Sequence, residues 1–248
     1  NPDGSFGRGR ISANAGIVSL CALAFMADGN LPGRGTYGRS VERALEYVLE
    51  HCTESGLVTN EGVNGPMYGH GFAALFLGEV YGMSPDDTRV RDALVRAIHL
   101  IENSQNDEGG WRYNPSATDA DTSVTGAVLM GLLAARNAGM NVPDETINKA
   151  LDYMARSTGK DGAVAYSGGI GGMGESMNRT AIATLVFSVG RHKDWDQFKA
   201  TLKHLTGQLE HRESGSYAEY FRYYMAQALF QGDYDSWQKD RKSTRLNS

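Results

Sequence analysis

Residues 105–133 read QNDEGGWRYNPSATDADTSVTGAVLMGLL. The stretch opens with a Gly109-Gly110 turn closed by Trp111, passes through a polar loop, and starts an apolar helix at Asp121-Thr122-Ser123. The same succession recurs along the 248-residue chain. Turn glycines fall at Gly4, Gly56, Gly109, Gly162 and Gly215, with successive spacings of 52, 53, 53 and 53 residues. Two residues after each stands Phe6, Val58, Trp111, Val164 or Tyr217. Spacing this regular marks a repeat architecture. Glycine permits a tight turn with positive φ, and the apolar residue two positions on is suited to plug the gap between neighbouring units.

A second register supports the first. Gly16, Gly71, Gly126 and Ala181 are each 55 residues apart, and each lies near the start of an apolar segment. These segments predict helices over 15–27, 69–81, 122–138, 179–189 and 217–230. They are apolar on most sides, which marks buried helices. Small residues at their starts permit close helix–helix approach. Between them lie amphipathic segments, at about 37–51, 87–104, 143–157 and 194–209. The first has Val41, Ala44, Leu45, Val48 and Leu49 at helical spacing. Pro143-Asp144-Glu145 makes a good helix start, because proline suits the first turn and acids suit the positive dipole end. No stretch sustains the period-two alternation of a half-buried strand. Each unit therefore reads as one buried and one surface helix. Such units close either as an open superhelix or as a ring with the buried helices inside. The near-fully apolar inner helices favour the ring.

Composition sets further bounds. A net charge of −5 argues against a general nucleic-acid surface. No apolar run reaches the roughly 20 residues that a membrane-spanning helix needs. Cys21 and Cys52 match neither a disulfide framework nor a zinc-ligand spacing. The chain begins at Asn1 inside a turn signal, and residues 240–248 resemble a translated sequencing adapter. The expected object is a single repeat-built domain over 1–239 that belongs to a longer reading frame. Compartment, oligomeric state and peripheral membrane association stay open.

These residues resemble the squalene cyclase and protein prenyltransferase repeat superfamily. Gln105-Asn106-Asp107-Glu108-Gly109-Gly110-Trp111 looks like its QW-type motif, and Asn1-Pro2-Asp3-Gly4-Ser5-Phe6 looks like a second copy without the leading Gln. Asp121-Thr122-Ser123-Val124-Thr125-Gly126 and Met67-Tyr68-Gly69-His70-Gly71-Phe72 resemble a bacterial branch close to squalene–hopene cyclases. The resemblance implies an all-α fold, an α/α toroid of six helical hairpins, of which five inner helices are present here. It implies a hydrophobic, isoprenoid-like ligand in the central cavity and no cofactor.

The candidate site follows from the ring. Parallel inner helices gather their positive ends at one mouth, which attracts anions. Near those starts sit Asn14, Tyr68, His70, Asp119, Asp121, Glu175, Asn178, Arg179, Glu219, Arg222 and Tyr223. Each has the alternative of capping a helix or pairing locally. Class II terpene cyclases protonate an alkene with the middle Asp of an Asp-x-Asp-Asp motif, which requires a carboxyl held protonated by a neighbouring carboxylate and an apolar cavity. In Asp119-Ala120-Asp121-Thr122 one register makes Asp121 the acid. The other puts Ala120 at the acid position and abolishes the chemistry. Asp121 or Ser123 as a helix N-cap is the structural alternative.

His70 suits hydrogen bonding or substrate orientation. Zinc-dependent prenyltransferases supply an Asp-x-Cys pair plus a His, and no Asp-x-Cys occurs here, so no metal is expected. Arg179 and Arg222 suit bidentate binding of an anion, or pairing with Glu175 and Glu219. Tyr217, Tyr220, Phe221, Tyr223 and Tyr224 give the fifth inner helix an aromatic stripe that lines a cavity or fills a core. The glycine-rich 168–174 loop is expected to cover the mouth. Three functions follow: a hydrophobic-ligand toroid with cyclase-like isomerase chemistry, a non-catalytic binding or scaffold toroid, and a carbohydrate-active toroid using two of Asp121, Glu175 and Glu219. Trp111 alone in the mouth loops could stack on a ligand, which weighs against the third.

Overall fold

The structure, a computed structural model, describes residues 1–9, 13–60, 65–167, 176–208 and 217–246. Among them are ten α-helices, three isolated β-bridges and no strand. The apolar helices are α1 (Ala15–Ala27), α3 (Pro66–Met83), α5 (Thr122–Asn137), α7 (Met177–Val189) and α9 (Ala218–Gly232). The amphipathic ones are α2 (Gly38–Glu50), α4 (Thr88–Asn103), α6 (Asp144–Arg156) and α8 (Asp196–Gly207), and α10 (Tyr234–Leu246) ends the series. Every expected helix is present. Helix α3 begins earlier than periodicity suggests because Pro66 supplies a pre-set first turn. Helix α10 was not expected. It runs through the 240–246 stretch read as extraneous.

The chain gathers into two compact units. One comprises Asn1–Ala120 and Ala127–Asn148, the other Asp121–Gly126 and Lys149–Ser248. In the first unit α1 packs on α3, while α2 covers α1 and α4 covers α3. The buried stripes of the covering helices are Val41, Ala44, Leu45 and Val48 in α2, and Val90, Leu94, Ala97, Ile98 and Ile101 in α4. In the second unit α7 packs on both α8 and α9, and α10 packs on α9.

The turn glycines set the repeat. Gly4, Gly56, Gly109 and Gly162 have φ of 89°, 90°, 89° and 88°. The demand is more than conformational. A Cβ on Gly56 would lie 2.2 Å from the Arg96 carbonyl oxygen of α4, and one on Gly162 would lie 2.2 Å from the Ala200 carbonyl oxygen of α8. Each turn thus docks its backbone against the surface helix of its own hairpin, and no side chain fits between. The plugs Val58, Trp111 and Val164 are 0%, 1% and 0% exposed. Trp111 donates its indole N–H to the Ile101 carbonyl at 2.9 Å, as a buried indole must. Tyr217 departs from this pattern at 71% exposed, beside a turn glycine that lies outside the described residues.

The second register marks close backbone approach. A Cβ on Gly71 would meet the Ala127 and Val128 backbone at 2.9 Å, and one on Gly126 would meet the Ile182 side chain at 2.1 Å. Only glycine allows these apolar helices to sit so near one another.

Candidate functional site

The starts of the apolar helices are held by two kinds of contact. In the hairpins of α3 and α7, the residue before the close-approach position ties the helix to the turn. These residues are His70 and Thr180, and Ala15 and Thr125 stand in the same 55-residue register. His70 accepts the Val58 N–H at Nδ1, 3.1 Å away. Thr180 donates its hydroxyl to the Gly162 carbonyl at 3.3 Å. Between hairpins, the residue two beyond each plug reaches back to the preceding apolar helix. Met67 donates its N–H to the Tyr113 carbonyl at 3.1 Å, and Thr122 donates to the Tyr166 carbonyl at 2.9 Å. Asn60 performs the same task through its side chain, accepting from Ala15 N–H at 3.3 Å. Helix ends that would otherwise leave orphan donors are satisfied this way.

Asp121 belongs to this set. It is 0% exposed, and its Oδ1 accepts from the Ser123 N–H at 2.9 Å and the Val124 N–H at 2.8 Å. That is the geometry of an N-cap, with two first-turn donors on one carboxylate oxygen. Asn14 does the same for α1, accepting from Gly16 and Ile17. Thr122, the residue in place of the last motif Asp, donates its hydroxyl to the Ala165 carbonyl at 2.8 Å.

Asp119 is exposed. Its carboxylate pairs with the Arg112 guanidinium, and its carbonyl accepts from the Asn106 amide. The Asn106 side chain also organises the turn, accepting from the Glu108 and Gly110 N–H groups. Gln105 closes the motif, donating to the Gly109 carbonyl at 2.8 Å and to the Thr146 carbonyl of α6 at 2.9 Å. The QW-like segment is therefore a set of backbone clasps.

His70 lies in the core at 0% exposure, not on an open surface. A backbone N–H can only donate, so Nδ1 is the acceptor and the proton sits on Nε2. Burial pushes the His70 pKa down to about 4, against a smaller upward pull from the Ala97 carbonyl. The ring is neutral at physiological pH. The 55-residue register carried this signal, since His70 occupies the place where Thr125 and Thr180 are also polar and buried.

Tyr68 is half-buried, stacked on Phe72 at 6.3 Å and tilted against Tyr113 at 6.2 Å. Arg179 donates Nε–H to the Val164 carbonyl at 3.0 Å and lies 5.7 Å from the Tyr166 ring centre. Arg222 is exposed and pairs with Glu219 at 2.7 Å within one turn of α9. Tyr223 sits edge-on to the buried Tyr224 at 4.9 Å. Glu175 and the glycine-rich 168–174 loop lie outside the described residues. No group of three His, Cys, Asp or Glu with metal-binding geometry occurs among the described residues. No helix among them is long and apolar enough to cross a membrane.

One residue was not anticipated. Glu79 stands half-buried in the later part of α3, where burial raises its pKa. It makes no hydrogen bond or ion pair among the described residues. The available signal was a lone carboxylate in a segment with no other acid or base but His70.

The sequence model of a family described as "Domain of unknown function (DUF6288)" matches residues 11–238. No curated protein matches the chain.

Proposed function

The chain belongs to the DUF6288 family, and from that premise we propose that it is a non-catalytic binding toroid. Its hairpins continue one another into an α/α ring, and its inner helices offer an apolar surface to a hydrophobic, isoprenoid-like molecule. The observation that carries the non-catalytic reading is the cap at Asp121. The motif oxygen that would belong to the acid takes two backbone N–H groups of α5. Asp119, the carboxylate that would assist it, is exposed and paired with Arg112. Ligand binding is supported by α1. Helix α1 has no charged residue, and its Ile17, Leu20 and Leu23 stay partly exposed. Unsatisfied apolar surface on a helix of this kind is what a hydrophobic ligand covers.

A second reading has one observation in its favour. Asp121 is fully buried, as a carboxyl that protonates an alkene has to be. The two readings separate on Asp121→Asn in the full-length protein incubated with a polyprenyl substrate. A cap survives this change and an acid does not. Cyclised product from the parent, lost in the variant, establishes the catalytic reading. Absence of product from both, with retained binding of a hydrophobic fluorescent probe, is the outcome expected here.

A further inference from the structure

We infer that two copies of this chain pair through their α1 helices, across a twofold axis that passes near Cys21. Ile17, Cys21 and Ala24 follow one another at intervals of 4 and 3 residues and share one face of α1. Two 55-residue periods later the same positions of α5 are Ala127, Gly131 and Ala134. On α5 this face is covered. Ala127 and Ala134 are 0% and 7% exposed, and Gly131 is buried. The cover is α3. A Cβ on Gly131 would lie 2.9 Å from the Gly71 carbonyl oxygen and 3.0 Å from the Ala74 Cβ, and one on Gly78 would lie 3.1 Å from the Ala134 carbonyl carbon. On α1 the face is open, with Ile17 and Cys21 half-buried and Ala24 exposed. Helix α1 meets α3 on another side, where a Cβ on Gly16 would lie 2.8 Å from the Gly69 Cα. The repeat thus leaves bare on α1 the helix-packing face that it covers on α5. Leu20 and Leu23 lie to one side of this face and remain for the ligand proposed above.

An occupant of this face must bring no charge and must allow close approach. Helix α1 of a second copy meets both conditions. None of its 13 residues is charged, so pairing it with itself desolvates no ion. Cys21 and Ala24 are small enough for two backbones to come near. A twofold contact presents the same face on both copies, as most homo-oligomers do. Helix α9 makes a poorer partner, because its exposed Glu219–Arg222 ion pair would have to lose water. At 1.5 Å of rise per residue the face of α1 is about 20 Å long. That is small beside the roughly 800 Å² per partner of a standard interface. A weak dimer follows, with a Kd of about 10–100 µM.

Sedimentation equilibrium of the whole chain from about 5 to about 500 µM tests the pairing. The average mass is expected to rise from 26.9 kDa toward twice that value. Ala24→Arg, which sets like charges against each other at the contact, is expected to stay at 26.9 kDa throughout. Loss of the dimer in this variant with binding of a hydrophobic fluorescent probe retained is the expected result, and it separates the pairing from the ligand reading. In Cys52→Ser, whose one thiol is Cys21, a short bismaleimide is expected to link two copies. A parent that stays monomeric overturns the inference. So does a dimer that survives Ala24→Arg, which puts the contact elsewhere, and so does a mass that climbs past the dimer, which marks head-to-tail addition. If Ala24→Arg does not fold, judged by circular dichroism, the cross-link decides, and its absence from a dimeric Cys52→Ser protein overturns the pairing.

Discussion

Acid should loosen this protein through His70. In the folded chain the ring is neutral, accepts the Val58 N–H at Nδ1, and has its pKa lowered from the ordinary 6.5 to about 4 by burial. In the unfolded chain it takes a proton near 6.5. Between these two values the unfolded state binds more protons, so stability falls as pH falls through the window from about 6.5 to about 4. The full effect is fixed by the difference between the two pKa values. At about 1.4 kcal/mol per pKa unit it comes to roughly 3 kcal/mol below pH 4. That is a large share of the roughly 5–15 kcal/mol that holds a typical domain folded. The assay is urea denaturation followed by circular dichroism at several pH values, for the parent and for His70→Asn. Asparagine can accept the Val58 N–H through its amide oxygen but does not titrate. It should be less stable at neutral pH by about 1–3 kcal/mol, because a ring's worth of packing is lost. Its midpoint should then change much less between pH 7 and pH 4.5. Equal pH dependence in the two proteins would refute the argument, as would a His70 resonance that titrates near 6.5.

Further expectations concern the clasps. Gly56→Ala should destabilise by at least about 2 kcal/mol, since it combines a positive φ with a Cβ 2.2 Å from the Arg96 oxygen; thermal denaturation checks this. Trp111→Phe should cost about 1–3 kcal/mol through the lost N–H to Ile101 and the space left behind, read in the same way. Arg112→Ala should change stability by less than about 1 kcal/mol, because its partner Asp119 is exposed and surface pairs are weak. A loss above 2 kcal/mol would show that this pair matters more than its exposure suggests.

The division between apolar and amphipathic helices was legible because it depends on periodicity, which burial enforces along the described helices. The turn glycines were legible because nothing else fits beneath the Arg96 and Ala200 carbonyls. What the sequence left undecided were roles that depend on direction. Asp121 reads equally as acid or cap until its oxygen is seen on the Ser123 and Val124 amides. His70 looks like a site residue until its ring is seen inside the core, accepting from Val58. Tyr217 shows the limit of register, since it keeps the spacing of a plug but not its burial. Helix α10 is not legible because residues 240–248 resemble a translated adapter, and its aromatic contacts, Tyr234 and Trp237 with Phe230, are too few to give a period.

Asp121 as the cap of α5 separates the binding reading from the catalytic one. The direct measurement is the stability of Asp121→Asn beside Asp121→Ala, by urea denaturation. Asparagine caps about as well as aspartate, so Asp121→Asn should stay within about 0.5 kcal/mol of the parent, and Asp121→Ala should lose about 1–2 kcal/mol. Equal stability of the alanine variant and the parent would contradict the cap and return Asp121 to the candidates for chemistry.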